Sequence, residues 1–303
     1  MIDSIINCDN ISAADVVLLA ANYDRTSSFG KGADKGPQAI KRCLDGQLEL
    51  YDPYTGTTPT QLYKIAYHDL GDLNYLRPEE MVRKVAEEFK KLYCAGKFVV
   101  SLGGEHSISI APFRVLAEKN PQEVTVLQID AHADLRDDDS DYADEPHGKY
   151  AHCCVMRRAH ELGLKTVQVG IRAYSGEEQA FMKGMTVFKW NQERLPAVEE
   201  IIEAITTENV YLTLDVDGID PAHMPATGTP VQGGLSWQYT LNLLYRLACQ
   251  KNVLAADIVE VAPRSTDALT EYGAAQLCYN LIAWNMPHIL PDARQECKHS
   301  YAR

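Results

Sequence analysis

The sequence predicts an α/β fold with a mostly parallel central sheet and helices on both faces. Two observations carry this. Short apolar runs of strand length alternate along the chain with longer stretches whose apolar residues recur at helical spacing, and strand–helix alternation requires crossover connections between parallel strands. Several of the short runs are apolar almost throughout, as expected of strands covered on both faces. No internal repeat, low-complexity tract or Pro/Ser linker interrupts the pattern, so residues 1–303 read as a single domain.

Taken in order, 15–22 (DVVLLAAN) is a buried strand. Residues 37–44 open a helix with Pro37 in its first turn, where the missing N–H costs nothing. A second helix covers 78–93, with Met81, Val82, Val85, Phe89 and Leu92 on one face. FVVSL at 98–102 is a strand, 107–119 a helix with Pro112 near its start, and 124–130 (VTVLQID) a strand. Short strands follow at 166–170 and 186–188, then a helix at 198–206 and a strand at 210–215. A helix at 237–249, a strand at 253–261 and a helix at 271–286 complete the chain. The longest polar interruption, 136–149, is a loop lying directly after a strand. In open parallel sheets ligands bind beyond the carboxyl ends of the strands, so the residues following each strand matter most.

The composition, with 46% hydrophobic and 23% charged residues, is that of a folded soluble domain. A net charge of −13 leaves no basic footprint for nucleic acid or an anionic membrane. No apolar run reaches the ~18 residues that would span a bilayer. The start, Met1-Ile2-Asp3-Ser4, lacks the basic lead into an apolar stretch that marks a secretory signal, so a cytoplasmic protein is expected. Eight cysteines without CxxC spacing read as reduced thiols. The adjacent Cys153-Cys154 reads first as two small residues opening a helix, and second as a redox-sensitive pair beside His152.

Three strands end in metal-ligand residue types. The strand at 98–102 runs into Gly103-Gly104-Glu105-His106-Ser107, that at 124–129 into Asp130-Ala131-His132-Ala133-Asp134, and that at 210–214 into Asp215-Val216-Asp217. In extended chain, residues two apart point the same way, so Asp130, His132 and Asp134 would share one face, as would Asp215 and Asp217. Four carboxylates gathered at one sheet edge repel one another unless cations compensate them. Together with His106 and His132 they make six ligands. That is too many for one tetrahedral zinc, and it suits two divalent ions sharing carboxylates, with Mn²⁺ favoured by the oxygen-rich set.

On these residues the chain resembles the ureohydrolase (arginase/agmatinase) superfamily, and most closely its agmatinases. The matching stretches are GGEHS at 103–107, DAHADLRD at 130–137, KYAHCCVMRR at 149–158, LDVDGIDPAHMPATGTPVQGGLSW at 214–237 and DIVEVAP at 257–263, with NYDRTSSFGKGADKGP at 22–37 resembling the N-terminal segment. The resemblance implies a three-layer α/β/α fold, two Mn²⁺ per subunit, a trimer or hexamer, and hydrolysis of a guanidino group to urea and an amine. It implies that one ion is held by His106, Asp130, Asp134 and Asp215, and the other by Asp130, His132, Asp215 and Asp217. Asp134 would hold the attacking nucleophile and pass on its proton. His152 would shuttle protons at the mouth of the site, and Glu260 would pair with the substrate guanidinium. The chemistry is coherent, because a guanidinium carbon is a poor electrophile, and its leaving amine needs a proton at pH 7.

The acidic loop at 137–141 points to a cationic tail on the substrate, hence agmatine, with putrescine as the polyamine product. The runners-up are guanidinobutyrase, arginase and formimidoylglutamase activity; the first would need a cation near the pocket, for which Arg136, Arg157 and Arg172 are candidates. A zinc deacetylase-like enzyme would use one metal and fewer ligands. A metal-binding pseudoenzyme would require a broken site, whereas all six ligand positions are filled.

Overall fold

A computed structural model describes residues 3–141, 146–190 and 194–285. Its strands are β1 (Val16–Asn22), β2 (Ile65–Asp72), β3 (Phe98–Gly103), β4 (Val124–Ile129), β5 (Lys165–Ile171), β6 (Thr186–Lys189), β7 (Asn209–Asp215) and β8 (Asn252–Val259). They form one sheet in the order β2-β1-β3-β8-β7-β4-β5-β6, and every pairing is parallel. The helices are α1 (Gly36–Leu44), α2 (Pro59–Leu62), α3 (Pro78–Cys94), α4 (Ile110–Leu116), α5 (Val155–Glu161), α6 (Gly176–Phe181), α7 (Val198–Ala204), α8 (Trp237–Gln250) and α9 (Leu269–Asn285).

The apolar strands explain the layering. β1, β3, β4 and β7 are buried along almost their whole length, so each face of the sheet needs a helical cover. On one face α1 packs on α9, α9 on α8 and α8 on α7; on the other α3 packs on α4 and α4 on α5. The two faces hold separate apolar cores, one around Leu18, Leu212 and Trp284, the other around Val17, Phe89 and Tyr211. This is the three-layer α/β/α arrangement expected. Among the described residues no helix is long and apolar enough to cross a membrane.

Register positions the site. Leu102 pairs with Ile258, Ile258 with Leu214, and Leu214 with Ile129. The four central strands β3, β8, β7 and β4 therefore end nearly level, and the residues that follow them emerge side by side.

The structure departs from the sequence reading at several places. β2 was not foreseen, because it is an edge strand whose second half (HDLGD) is polar and partly exposed. The helix expected from residue 107 begins as a 3₁₀ turn, His106–Ser109, and becomes α-helical only at Ile110, which places Pro112 in the first α-turn. The helix α6 was missed although its N-terminus carries a readable capping box, Ser175 with Glu178. Met286 of the final predicted helix, and residues 142–145 of the polar loop, lie outside the described residues.

The candidate metal centre and its cleft

β4 stops at Ile129, so Asp130, His132 and Asp134 do not share a strand face as the extended-chain argument expects. They converge by another route. Asp130 turns back so that its Oδ1 accepts the His132 N–H at 2.6 Å, and Asp134 adopts a left-handed backbone, φ 52°. Its carbonyl accepts the N–H groups of Met156 and Arg157, which anchors the strained turn to the first turn of α5. Asp215 Oδ1 accepts the Asp217 N–H at 2.9 Å, and Asp217 Oδ1 accepts the Ala131 N–H at 3.0 Å, tying the β7 turn to the β4 turn. Gly218 permits this approach, since a Cβ there would lie 2.5 Å from the Asp130 nitrogen.

The result is two groups of ligand atoms. His106 Nδ1 lies 3.1 Å from Asp130 Oδ2, 3.0 Å from Asp134 Oδ2 and 3.3 Å from Asp215 Oδ2. His132 Nδ1 lies 3.0 Å from Asp217 Oδ2 and 3.6 Å from Asp130 Oδ1. Asp130 thus turns one oxygen to each histidine. Two sets, His106–Asp130–Asp134 and Asp130–His132–Asp217, each have the compactness of a metal site. Burial and the neighbouring Asp130 charge push the Asp134 carboxyl up to about 6. Burial, with the charges of Asp217 and Asp130, raises Asp215 well above the usual range. Burial lowers the affinity of His106 for a proton, but the adjacent carboxylates of Asp130, Asp134 and Asp215 more than reverse this. Carboxylates and imidazoles that hold protons more tightly than usual form a site that lacks positive charge.

His106 Nδ1 is buried and has no hydrogen-bond partner. Its other nitrogen, Nε2, lies 2.8 Å from Thr213 Oγ1. Thr213 donates its hydroxyl proton to Asp257 Oδ1 at 2.7 Å, and Asp257 Oδ2 takes a second bond, from Tyr211, also at 2.7 Å. Since the Thr213 hydrogen is committed, its oxygen accepts from Nε2–H, and Nδ1 is the ring atom that faces three carboxylates. That arrangement is stable only around a cation, so the residues fit a divalent ion on the His106 side. Thr213→Val is expected to weaken binding of that ion about 10- to 100-fold, with Thr213→Ser restoring it, measured as Mn²⁺ affinity by titration calorimetry. The sequence reading missed Thr213 and Asp257; a carboxylate in the middle of the apolar run LAADIV was the available signal.

The cleft at this centre has a volume of about 380 Å³ and is lined by His106, His132, Asp134 and Asp215 together with His152, Glu260, Tyr174 and Ser175. Glu260 follows β8 and has φ 65°. Asp134 and Glu260 are the two non-glycine residues with left-handed backbone among those described, and both carry carboxylates facing this cleft. Glu260 Oε1 accepts the His106 N–H at 2.9 Å and lies 3.6 Å from His152 Nδ1. Burial lowers His152, but the hydrogen bond and charge of Glu260 prevail and lift it to about 9. The His152 N–H bonds Thr26 Oγ1, whose hydroxyl donates to the fully buried Glu105 at 2.7 Å. Glu105 also accepts the N–H and hydroxyl of Ser107. It therefore clamps the His106 turn, the 23–33 loop and His152 together, a role the sequence reading did not give it. Gly104 makes the clamp possible, since a Cβ there would lie 1.8 Å from the Tyr23 carbonyl oxygen.

The acidic loop at 137–141 does not face the cleft as a whole. Asp139 is buried and accepts the His147 and Gly148 N–H groups, Asp138 caps Ser140, and Asp137 pairs with Arg158 and Lys149. Of this loop, Asp141 alone reaches a cleft residue, pairing with Arg136. The carboxylates of Asp137, Asp138 and Asp139 are consumed by local backbone and side-chain donors, so the expectation that the loop as a whole forms an ammonium receptor is corrected. Of the three candidate cations, Arg172 binds the carbonyls of Gly170, Asp217, Gly218, Val231 and Gln232. Arg157 stacks on Phe181 and pairs with Glu161. Only Arg136 lines the cleft, with its Nε 3.9 Å from Glu178 Oε2.

Residues 14–283 match the Arginase family. The chain is 38% identical over 287 residues to N(1)-aminopropylagmatine ureohydrolase of Synechocystis sp., covering 89% of each chain. It is 35% identical over 257 residues to agmatinase of Bacillus anthracis, covering 82% of this chain and 84% of that one. The crystal structure of agmatine ureohydrolase of Thermoplasma volcanium superposes with a TM-score of 0.82 at 28% identity, covering 99% of this chain and 97% of the other. With the strand-end carboxylates, the paired histidines and the sheet order in place, the chain belongs to the Arginase family.

Proposed function

We propose that this protein hydrolyses the guanidino group of a substrate with a cationic tail, agmatine or its N(1)-aminopropyl derivative, releasing urea and an amine, with two Mn²⁺ ions held by His106, Asp130, His132, Asp134, Asp215 and Asp217. The observation that carries the reaction class is the pair of His/Asp groups sharing Asp130, with Glu260 lining the same cleft and accepting the His106 N–H. When bound, such an ion pair supplies a nucleophile from water at neutral pH and Lewis-acid polarisation.

The protein's own residues do the rest. Glu260 offers a fixed carboxylate to a planar guanidinium. Asp134, which lines the cleft with Oδ2 turned to the His106 side, takes the proton released on attack at its other carboxylate oxygen. His152, charged at pH 7, donates a proton to the leaving nitrogen. His152→Ala is expected to leave metal content unchanged and to slow turnover roughly 10²- to 10⁴-fold. Because the protonated imidazole is the acid, the wild-type rate falls as pH rises through the His152 pKa, and His152→Asn lacks that alkaline limb.

The tail preference rests on charge balance at the cleft wall. Arg136 is held between Asp141 and the buried Glu178, whose oxygens also accept the Leu135 and Ser175 N–H groups. Two carboxylates against one guanidinium favour an ammonium and disfavour a carboxylate. The test is kcat/KM across agmatine, N(1)-aminopropylagmatine, arginine, guanidinobutyrate and formimidoylglutamate with the Mn²⁺-loaded protein. A higher value for guanidinobutyrate than for both cationic substrates would overturn the tail assignment, and absence of urea from all the guanidino compounds would overturn the reaction class.

A further inference from the structure

The vicinal pair Cys153-Cys154 is not used by the proposed reaction, yet it sits on the cleft. Cys153 lines the wall beside His152 and Arg136, cationic neighbours of the kind that favour a reactive thiolate. Cys154 is fully buried directly behind it, and the two sulfur atoms are 3.6 Å apart, in van der Waals contact. The residues His152–Cys154 form a 3₁₀ turn leading into α5. That turn is held by the Cys154 N–H to Ala151 carbonyl bond and by the Arg136 N–H to Cys153 carbonyl bond.

We propose that Cys153 and Cys154 form a thiol modification site in the cleft wall, converted by peroxide to a vicinal disulfide that displaces His152 and Arg136. Cys153 Sγ attacks the peroxide O–O bond, becoming a sulfenic acid while one oxygen leaves as water. Cys154 Sγ then attacks Cys153 Sγ, the S–O bond breaks, and the hydroxide departs with the Cys154 proton as a second water. Two thiols lose two electrons and one peroxide gains them. Closing the S–S distance to ~2.05 Å twists the peptide between the two residues. That twist pulls on the turn that carries His152 and on the hydrogen bond that seats Arg136. The exposed Cys94 and half-buried Cys8 are single thiols and provide internal comparison.

The metal-loaded protein is treated with hydrogen peroxide, its free thiols are blocked with N-ethylmaleimide, and it is digested with trypsin. Cleavage after Lys149 and Arg157 yields one peptide, 150–157, that contains both cysteines. The expected result is a 150–157 peptide lighter by two hydrogens that takes up no maleimide, and that takes up two after reduction. Turnover of the best guanidino substrate falls in step with the disulfide fraction, roughly tenfold or more for a displaced proton donor, and returns with reductant. In Cys154→Ser, which keeps basal turnover, the same peptide carries a dimedone-trapped sulfenic acid at Cys153 and loses no hydrogens. The proposal is overturned if both cysteines remain alkylated at a peroxide dose that fully oxidises Cys94, or if the disulfide forms completely and turnover is unchanged. The mass measurement requires no substrate, so it stands apart from the assignment of the reaction.

Discussion

Glu260→Gln is expected to lower kcat/KM by about 2–5 kcal/mol, the cost of removing one partner from a buried charge pair, or roughly 30- to 4,000-fold. The substitution is chosen because glutamine keeps an oxygen for the His106 N–H while losing the charge. Glu260 is almost wholly buried, stands on a left-handed backbone, and shares its Oε1 between the His106 amide and the His152 ring. Its carboxylate is therefore fixed before substrate arrives, which is the condition for strong recognition of a guanidinium. Metal content by elemental analysis should remain at two ions per chain. Loss of an ion with the activity would mean that Glu260 acts by holding the His106 turn and not by binding substrate.

Asp217→Ala and His132→Ala are expected to lower the bound metal from two ions to one and to reduce turnover by at least about 10²-fold, since an ion pair contributes several kcal/mol to such a reaction. Asp217 Oδ2 and His132 Nδ1 are 3.0 Å apart, and their group has Asp130 in common with the other. The remaining ion should be the one on the His106 side, where Thr213 and Asp257 hold the imidazole. Thr213→Val then provides the reciprocal case, weakening the His106 ion while sparing the other. If Asp217→Ala loses both ions together, the two groups form one cooperative site.

The sequence by itself determined the fold class, because the apolar length and alternation of the strands dictate a parallel sheet covered on both faces. It also picked out the six residues proposed as ligands, because His and Asp immediately after apolar strands, spaced by small residues, have few other uses at a sheet edge. The resemblance supplied roles for His152 and Glu260, which residue spacing alone did not. Tertiary structure decided the rest. Sequence could not show that β4 ends at Ile129 and that Asp130, His132 and Asp134 meet through a left-handed turn, because that turn is held by the first N–H groups of α5, a helix far along the chain. Nor could it show that the aspartates at 137–141 are occupied by local donors, while Glu178, from a short helix after β5, reaches the cleft wall. The outer partners of His106 lie on β7 and β8, more than a hundred residues away, and only strand register sets Thr213 beside Asp257. Composition and spacing record which groups are available. Which of them remain free to bind a ligand depends on hydrogen bonds made across the chain, and those exist only once the sheet has formed.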